Sequence, residues 1–379
     1  MSGEVPEGWT IGPMVQFFEL QRGHDLPVQS REAGGVPVIA SNGIVGSHSQ
    51  SFLSGPGVVT GRSGTIGKVN YIEGPYWPLN TTLYVRDFKG SEPEFVYRFL
   101  EHFPLTEFQS GTGVPTLNRN DIHPIDVAFP PLDEQRRIAE VLRSADEAIA
   151  AKQEMLSAIK RFKRSCREAA VQRFHDCEAT TLQAVLTSID AGWSPDCDSE
   201  PARDGEWSIL KTSAVVWEGY DDDENKRLPA HLEPRPHLEV TAGDILITRA
   251  GPAERTGVVA IVRETAGRRM LSDKIIRLRV SLDKAVPLAI AELLASDEVQ
   301  DELIRSKSGM AASQTNISQK IVLGLAMRLP PLADQSDFAD EMAALQDAID
   351  INEADLLATR RLKATLMSDL LSGRMRVPA

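Results

Sequence analysis

The sequence predicts an α+β protein with a pseudo-twofold internal repeat, in which two α/β domains are joined by two long helices that pair as a coiled coil. Three observations predict this fold class: a motif that recurs 200 residues later, a heptad pattern that follows each copy, and similar strand patterns that precede each copy. The expected segments are a first domain at residues 1–130, a central helix at 131–175, a second domain at 176–330 and a C-terminal helix at 331–379.

The recurring motif is PPLDEQ at residues 130–135, which returns as PPLADQ at residues 330–335. Proline is tolerated only in the first turn of a helix, so each Pro-Pro pair predicts a helix start. Each helix is expected to run for about 40 residues, or about 60 Å at ~1.5 Å per residue.

Apolar residues spaced alternately four and three follow each motif, which predicts a heptad seam on each helix. No third helix of comparable length is predicted, so the two helices should pair with each other rather than join a larger bundle. Polar residues also occupy seam positions, where they could fix the register or extend their charged ends into water: Lys152, Lys163, Asn352 and Lys363. The apolar seam residues expected in the coiled coil are Ile138, Leu142, Ile149, Leu156, Ile159, Phe338, Met342, Leu345, Ile349 and Leu356.

Each domain contains a strand, an Arg-small-Gly loop, a glycine and a second strand in the same order. A further strand and a helical stretch follow in both. The predicted segments are 57–72, 82–86 and 93–102 in the first domain, and 244–262, 275–279 and 287–296 in the second. The second domain differs in carrying an acidic run at residues 221–224.

Arg62 and Arg249 occupy the same place in this pattern, each after a strand and two residues before a glycine. An arginine there can reach a base edge or a phosphate, because glycine lets the backbone come close to DNA. A plain turn with a surface arginine is the alternative, but the recurrence favours a DNA contact. The candidate DNA-binding residues are Arg62, Ser63, Lys68 and Asn42 in the first domain and Arg249, Arg255, Lys211 and Lys226 in the second.

The net charge of −13 by itself argues against strong DNA binding, because lysine and arginine must neutralise the phosphates. The charge is uneven, since residues 131–173 hold ten basic and seven acidic residues whereas residues 174–330 hold 18 and 25. We therefore expect the isolated chain to bind DNA weakly and to need a partner that supplies positive surface.

Other kinds of site are weakly supported. The segment 61–68 lacks the spacing of a phosphate-binding loop. A loose acid–acid–lysine set typical of metal-dependent nucleases is present, with a solvated acidic loop as the alternative: Asp196, Glu224 and Lys226. The possible zinc ligands fit no known spacing, and the cysteines are expected to be reduced thiols of a cytoplasmic protein: Cys166, His175, Cys177 and Cys197. No metal, cofactor or membrane span is expected.

The chain resembles the specificity subunit of type I restriction–modification systems over nearly its whole length. The likeness rests on the two helix-start motifs and on LLSGRMRV at 370–377, QTNIS at 314–318 and GDILITRAG at 243–251. One departure is Ala333-Asp334, where the family favours an acid followed by Glu, so helix capping there is expected to be weaker.

This resemblance implies two target-recognition domains, each of which reads one half of a split sequence in double-stranded DNA. The two helices would pair antiparallel, hold the domains apart and dock two methyltransferase subunits, which restriction subunits would join. The chain would then be a non-catalytic recognition subunit, and S-adenosylmethionine, Mg²⁺ and ATP would belong to its partners. Half-sites about one DNA turn apart suit such a two-domain rod. A self-sufficient nuclease and a protein-binding scaffold are the alternatives.

Overall fold

The computed structural model describes residues 6–111, 113–197, 199–311 and 314–377. At 308–311 and 314 only the backbone is described, and position 314 is the first residue of the QTNIS motif. The helices are α1 Pro93–His102, α2 Arg119–Ile122, α3 Leu132–Arg173, α4 Leu182–Val185, α5 Pro287–Leu294, α6 Asp297–Ser306, α7 Gln319–Leu323 and α8 Leu332–Leu371. The chain forms two compact units: unit 1 is Met1–Glu154 with Ala354–Ala379, and unit 2 is Met155–Glu353.

The strands are numbered in chain order. Unit 1 contains β1 Thr10–Pro13, β2 Glu19–Arg22, β3 Val36–Ala40, β4 Gly43–His48, β5 Gly57–Gly61, β6 Val69–Ile72, β7 Trp77–Pro78, β8 Thr82–Asp87, β9 Gln109–Ser110, β10 Thr116–Leu117 and β11 Asp126–Phe129. Unit 2 contains β12 Ala179–Thr181, β13 Leu186–Ala191, β14 Ser208–Leu210, β15 Val215–Val216, β16 Gly219–Tyr220, β17 Asn225–Arg227, β18 Ile245–Thr248, β19 Ala250–Gly251, β20 Val259–Ile261, β21 Arg269–Met270, β22 Ile275–Val280, β23 Ser308–Ala311, β24 Gln314–Asn316 and β25 Ala326–Arg328.

The two main sheets of each unit have the same strand order. A four-stranded antiparallel sheet has the order β2-β8-β5-β6 in unit 1 and β13-β22-β18-β20 in unit 2. A three-stranded sheet has the order β4-β3-β7 in unit 1 and β17-β14-β21 in unit 2, and the third strand in each is parallel to the middle one. This matching order confirms the internal repeat that the sequence predicted.

The central strands β5 and β18 are buried at every position. In unit 1, α1 packs against β5 and β6 on one side, whereas Val59 shares a core with Ile39 of the three-stranded sheet on the other. Both faces of the sheet are therefore covered, which explains why these strands carry no exposed polar side chains in alternation with apolar ones.

The long helices run antiparallel. In unit 1 the beginning of α3 lies against the end of α8, where Ile138 and Leu142 share a core with Leu370. In unit 2 the end of α3 lies against the beginning of α8, where Ala170 shares a core with Phe338. Of the predicted apolar seam residues, six are buried and the other four are half-buried; the half-buried ones are Ile149, Leu156, Ile159 and Leu345.

Three of the four polar seam residues contact the opposite helix, whereas Asn352 donates to the carbonyl of Ala348 on its own helix at 2.7 Å. Lys363 lies 2.6 Å from the carboxylate of Asp146, and Lys163 donates to the side-chain oxygen of Gln346 at 2.8 Å. Positions 363 and 163 are equivalent in the repeat, and so are positions 146 and 346. The same contact is therefore made twice, once from α8 to α3 and once from α3 to α8. Lys152 similarly pairs with Asp355. The seam lysines therefore bind the opposite helix, and such contacts favour one register.

The glutamine that ends each helix-start motif uses both its amide NH₂ and its amide oxygen in hydrogen bonds, and Gln335 also donates to the carbonyl of Lys284 at 3.3 Å. The amide groups of Gln135 and Gln335 each donate to the carbonyl of the first proline of their own motif, at 2.9 Å in both units. Their oxygens accept from the backbone N–H of Glu92 at 2.8 Å and of Val286 at 3.0 Å. Glu92 and Val286 directly precede α1 and α5, so each glutamine ties a domain helix to the start of a long helix.

The acid before this glutamine has different surroundings in the two units. Buried Glu134 accepts hydrogen bonds from Trp9 Nε1 at 3.1 Å and from Arg376 Nε at 2.6 Å. Asp334 occupies the equivalent position and is exposed, and Asp176 stands where the repeat would place a counterpart of Arg376. Unit 2 therefore lacks a basic partner for Asp334, which stands where the family favours Glu. In unit 1, ion pairing with Arg376 rather than helix capping explains the buried Glu134.

Candidate nucleic-acid interface

Arg62 and Arg249 are held by the same backbone geometry in the two units. The N–H of Arg62 donates to the carbonyl of Thr81 at 2.8 Å, and its carbonyl accepts from the N–H of Leu117 at 2.8 Å. The N–H of Arg249 donates to Lys274 and its carbonyl accepts from Ile317, both also at 2.8 Å. The equivalence predicted from sequence therefore extends to the hydrogen bonds that fix each loop.

The two arginine side chains differ in their contacts. Arg62 Nη1 donates to the carbonyl of Asn80 at 3.2 Å, so this side chain also braces the loop. Arg249 is half-buried, and its guanidinium has no hydrogen-bond or ion-pair partner within the described ranges. Arg249 is thus the freer of the two to contact a ligand.

In unit 1 the other candidate residues lie on neighbouring loops. Asn42 is exposed in the turn between β3 and β4, and its carbonyl accepts from Lys68 Nζ at 2.6 Å. Ser63 forms a bridge with Thr116. A Cβ added at Gly61 would lie 1.7 Å from the carbonyl of Thr65, so the loop that begins at Arg62 folds back tightly against its own strand.

In unit 2, Lys211 and Arg255 lie near one acid. Lys211 Nζ is 3.7 Å from the carboxylate of Glu224, which also accepts a hydrogen bond from Ser213. The Ser213 hydrogen bond and the charges of Lys211 and Arg255 lower the pKa of Glu224. Lys226 lies on β17, half-buried, and its ammonium has no hydrogen-bond or ion-pair partner among the residues for which the structure gives side chains.

Two residues without a predicted role position the Arg249 loop. Thr256 Oγ1 donates to the carbonyl of Gly251 at 3.3 Å, and Lys307 Nζ donates to the carbonyl of Ala253 at 2.9 Å. Burial lowers the pKa of Lys307. These roles could not be predicted from the sequence, because both side chains donate to backbone carbonyls, and any residue type can provide a backbone carbonyl.

Metal chemistry has little geometric support. Within the described residues, no three His, Cys, Asp or Glu side chains form a group that could hold a metal ion. Glu224, one of the acids of the nuclease hypothesis, is engaged by Ser213 and Lys211. Among the described residues, no helix is both long and apolar enough to cross a bilayer.

Part of the chain is similar to a known family of domains. Residues 6–161 match the family model of the type I restriction modification DNA specificity domain. The chain is 45% identical to the type I restriction enzyme EcoEI specificity subunit of Escherichia coli over 152 residues, which are 40% of this chain and 26% of that protein. It is 22% identical to the EcoKI specificity subunit of E. coli strain K12 across 99% of this chain and 90% of the relative.

Solved structures agree on the fold. The S subunit of a type I restriction-modification system from M. genitalium matches with a TM-score of 0.62 at 14% identity, covering 98% of this chain and 97% of that one. A chain from work on complex assembly and conformational transition of the type I R-M system matches with a TM-score of 0.60 at 16% identity, covering 98% and 100%. Residues 6–161 therefore match a type I DNA specificity domain, and the chain as a whole has the fold of these two structures, as the resemblance predicted.

Proposed function

We propose that this chain is the sequence-specific DNA-binding specificity subunit of a type I restriction–modification complex. Target-recognition domains at residues 1–130 and 176–330 each read one half of a bipartite target. The helices at 131–175 and 331–379 dock two methyltransferase subunits, which restriction subunits join. The chain itself is non-catalytic and acts in the cytoplasm, and S-adenosylmethionine, Mg²⁺ and ATP are bound by the partners.

The observation that carries this proposal is the arginine loop that is built twice. Arg62 and Arg249 are fixed by equivalent pairs of 2.8 Å backbone hydrogen bonds in units whose main sheets have the same strand order. Lysine or arginine side chains lie beside each loop, as binding to phosphates and base edges requires. Two similar sites on an internally repeated chain suit a target with two half-sites and two copies of one partner.

The net charge of −13 makes this function depend on partners. The isolated chain is expected to bind duplex DNA poorly at physiological salt, because phosphate neutralisation dominates affinity. With the cognate methyltransferase subunits present, specific affinity should rise to about 10⁻⁸–10⁻¹¹ M. Gel-shift titration of both preparations against the same duplexes measures the difference. Tight sequence-specific binding by the isolated chain would contradict the partner dependence, and a complex that prefers no sequence would contradict the function.

Replacing each arginine by alanine should distinguish a side chain that contacts DNA from one that stabilises its own loop. In the assembled complex, Arg249→Ala is expected to cost about 1–3 kcal/mol of binding in its own half-site if it contacts a base, with no change in Tm. If it contacts phosphate, the loss should be even across sequences and the salt slope should fall by about one unit. Affinities for single-base variants at two salt concentrations distinguish the two cases.

Arg62→Ala is the matched variant, since that side chain donates to the Asn80 carbonyl. It should lower the Tm slightly as well as weaken binding. An Arg249→Ala protein that folds normally, binds like wild type and keeps the wild-type salt slope would remove Arg249 from the DNA surface.

A further inference from the structure

An acid lies among the basic candidate residues of unit 2. Glu224 directly precedes β17, and its side chain is 39% exposed. The Lys211 ammonium lies 3.7 Å from its carboxylate, and the charge of Arg255, in the same loop as Arg249, also lowers the pKa of Glu224. A carboxylate repels DNA phosphates, so a surface that only neutralised phosphates would have no use for one.

The contacts of this carboxylate orient it and leave one oxygen available. Ser213 donates a hydrogen bond to Oε2 of Glu224, and the Lys211 ammonium lies near the same oxygen. Within the described residues, Oε1 accepts no hydrogen bond, so it can accept one from a ligand. An ammonium has three hydrogens to donate, so Lys211 can bind an acceptor on a ligand while it stays beside Glu224.

Glu224 and Lys211 together match the major-groove edge of a C·G base pair. That edge presents the N4 amino group of cytosine, a donor, next to O6 of guanine, an acceptor. Glu224 supplies an acceptor and Lys211 supplies a donor, also side by side. Adenine suits the carboxylate less well, because its N6 amino group lies next to N7, an acceptor that repels negative charge.

Unit 1 has a glycine at the position that corresponds to Glu224. The carbonyls of Thr81 and Lys274 accept from the two loop arginines, so these residues correspond. Counting back from them aligns β7 with β21, and strand pairing then aligns β3 with β14 and β4 with β17, which places Gly43 opposite Glu224 in the alignment. A Cβ added at Gly43 would lie 3.1 Å from Lys68 Nζ, so an ammonium lies beside that position. The two units therefore present different charges at one place in the fold, which suits two half-sites of different sequence.

We propose that Glu224 and Lys211 read one C·G base pair in the half-site of unit 2. Glu224 accepts a hydrogen bond from N4 of the cytosine, and Lys211 donates one to O6 of the guanine. Ser213 keeps the carboxylate in position for this contact, and the charge of Arg255 offsets its repulsion of the phosphates. This inference rests on the proposed function and assigns a base-reading role to an acid whose charge alone would disfavour DNA.

Glu224→Gln tests the inference, because the amide oxygen can still accept from Ser213 while the side chain reads a different base. Glutamine binds N6 and N7 of adenine in the major groove. The full chain carrying Glu224→Gln, in complex with its cognate methyltransferase subunits, is used to select binding sites from duplexes with randomised base pairs. At one position of the half-site read by unit 2, adenine should replace cytosine, with a discrimination of about 5- to 150-fold between the two bases.

Lys211→Met tests the guanine contact. It should relax discrimination at the same base pair that Glu224→Gln alters and leave the other positions of the motif unchanged. Two variants that relaxed different base pairs would show that Glu224 and Lys211 do not read one pair.

Glu298→Gln is the matched control, because Glu298 is an exposed acid on α6 of the same unit and the chemical change is identical. Its selected motif should equal that of wild type. The inference is overturned if Glu224→Gln selects the wild-type motif, or if it weakens binding evenly for all sequences, which would mean that Glu224 only positions Lys211. A wild-type complex that selects no motif would instead contradict the proposed function.

Discussion

Leu142→Asp is expected to lower the free energy of unfolding by about 3–5 kcal/mol. Leu142 is fully buried on α3, in a core shared with Ile138 and with Leu370 of α8. The substitution removes this apolar contact and places an unpaired carboxylate among apolar side chains. Urea unfolding of the purified chain, followed by circular dichroism, measures the loss.

Leu357→Asp is the matched control for this experiment. Leu357 lies on α8 within the same unit, but its side chain is 48% exposed, so the same chemical change should alter the free energy of unfolding by at most about 0.5 kcal/mol. Equal unfolding curves for Leu142→Asp and wild type would show that position 142 is not a core position of the helix pair.

Gln335→Ala is expected to cost about 2–5 kcal/mol of unfolding free energy. The variant leaves the Pro330 carbonyl and the Val286 N–H without their partner, and a buried polar group left unsatisfied costs about 1–3 kcal/mol. Gln335→Glu should also destabilise at neutral pH, because a carboxylate cannot donate to the proline carbonyl.

Gln172→Ala controls for the loss of a glutamine from a long helix, since Gln172 is exposed near the end of α3 in the same unit. It should melt within a degree or two of wild type. A Gln335→Ala protein as stable as Gln172→Ala would mean that the motif glutamine does not hold α5 to the start of α8.

Much of the fold was predictable because its signals are local or periodic. The Pro-Pro pairs mark the starts of α3 and α8 at Leu132 and Leu332. The strand predicted at 57–61 coincides with β5, which is buried at every position. The role of Gln335 was not predictable, since its partner Val286 lies 49 residues away and donates only a backbone N–H, which no sequence pattern records.

The candidate interface was predictable only in part. The recurrence of Arg-small-Gly located both arginine loops, but it could not distinguish the braced Arg62 from Arg249. The correspondence of β4 with β17 was hidden, because residues 211–224 lie between β14 and β17 and include the hairpin of β15 and β16, whereas β3 and β4 are joined by a two-residue turn. These strands differ in sequence and in spacing, so they correspond only through their place in the sheet.

The chain order of the two units has a consequence for biosynthesis. Unit 2 is one continuous segment, whereas the core of unit 1 joins Ile138 with Leu370, which is made after all of unit 2. At ~5–20 residues per second, synthesis of the intervening 155–353 segment takes roughly 10–40 s. Throughout that delay the apolar face at Ile138 and Leu142 remains uncovered by its own chain, so the nascent first domain is open to chaperone capture and to aggregation while the second domain completes its fold.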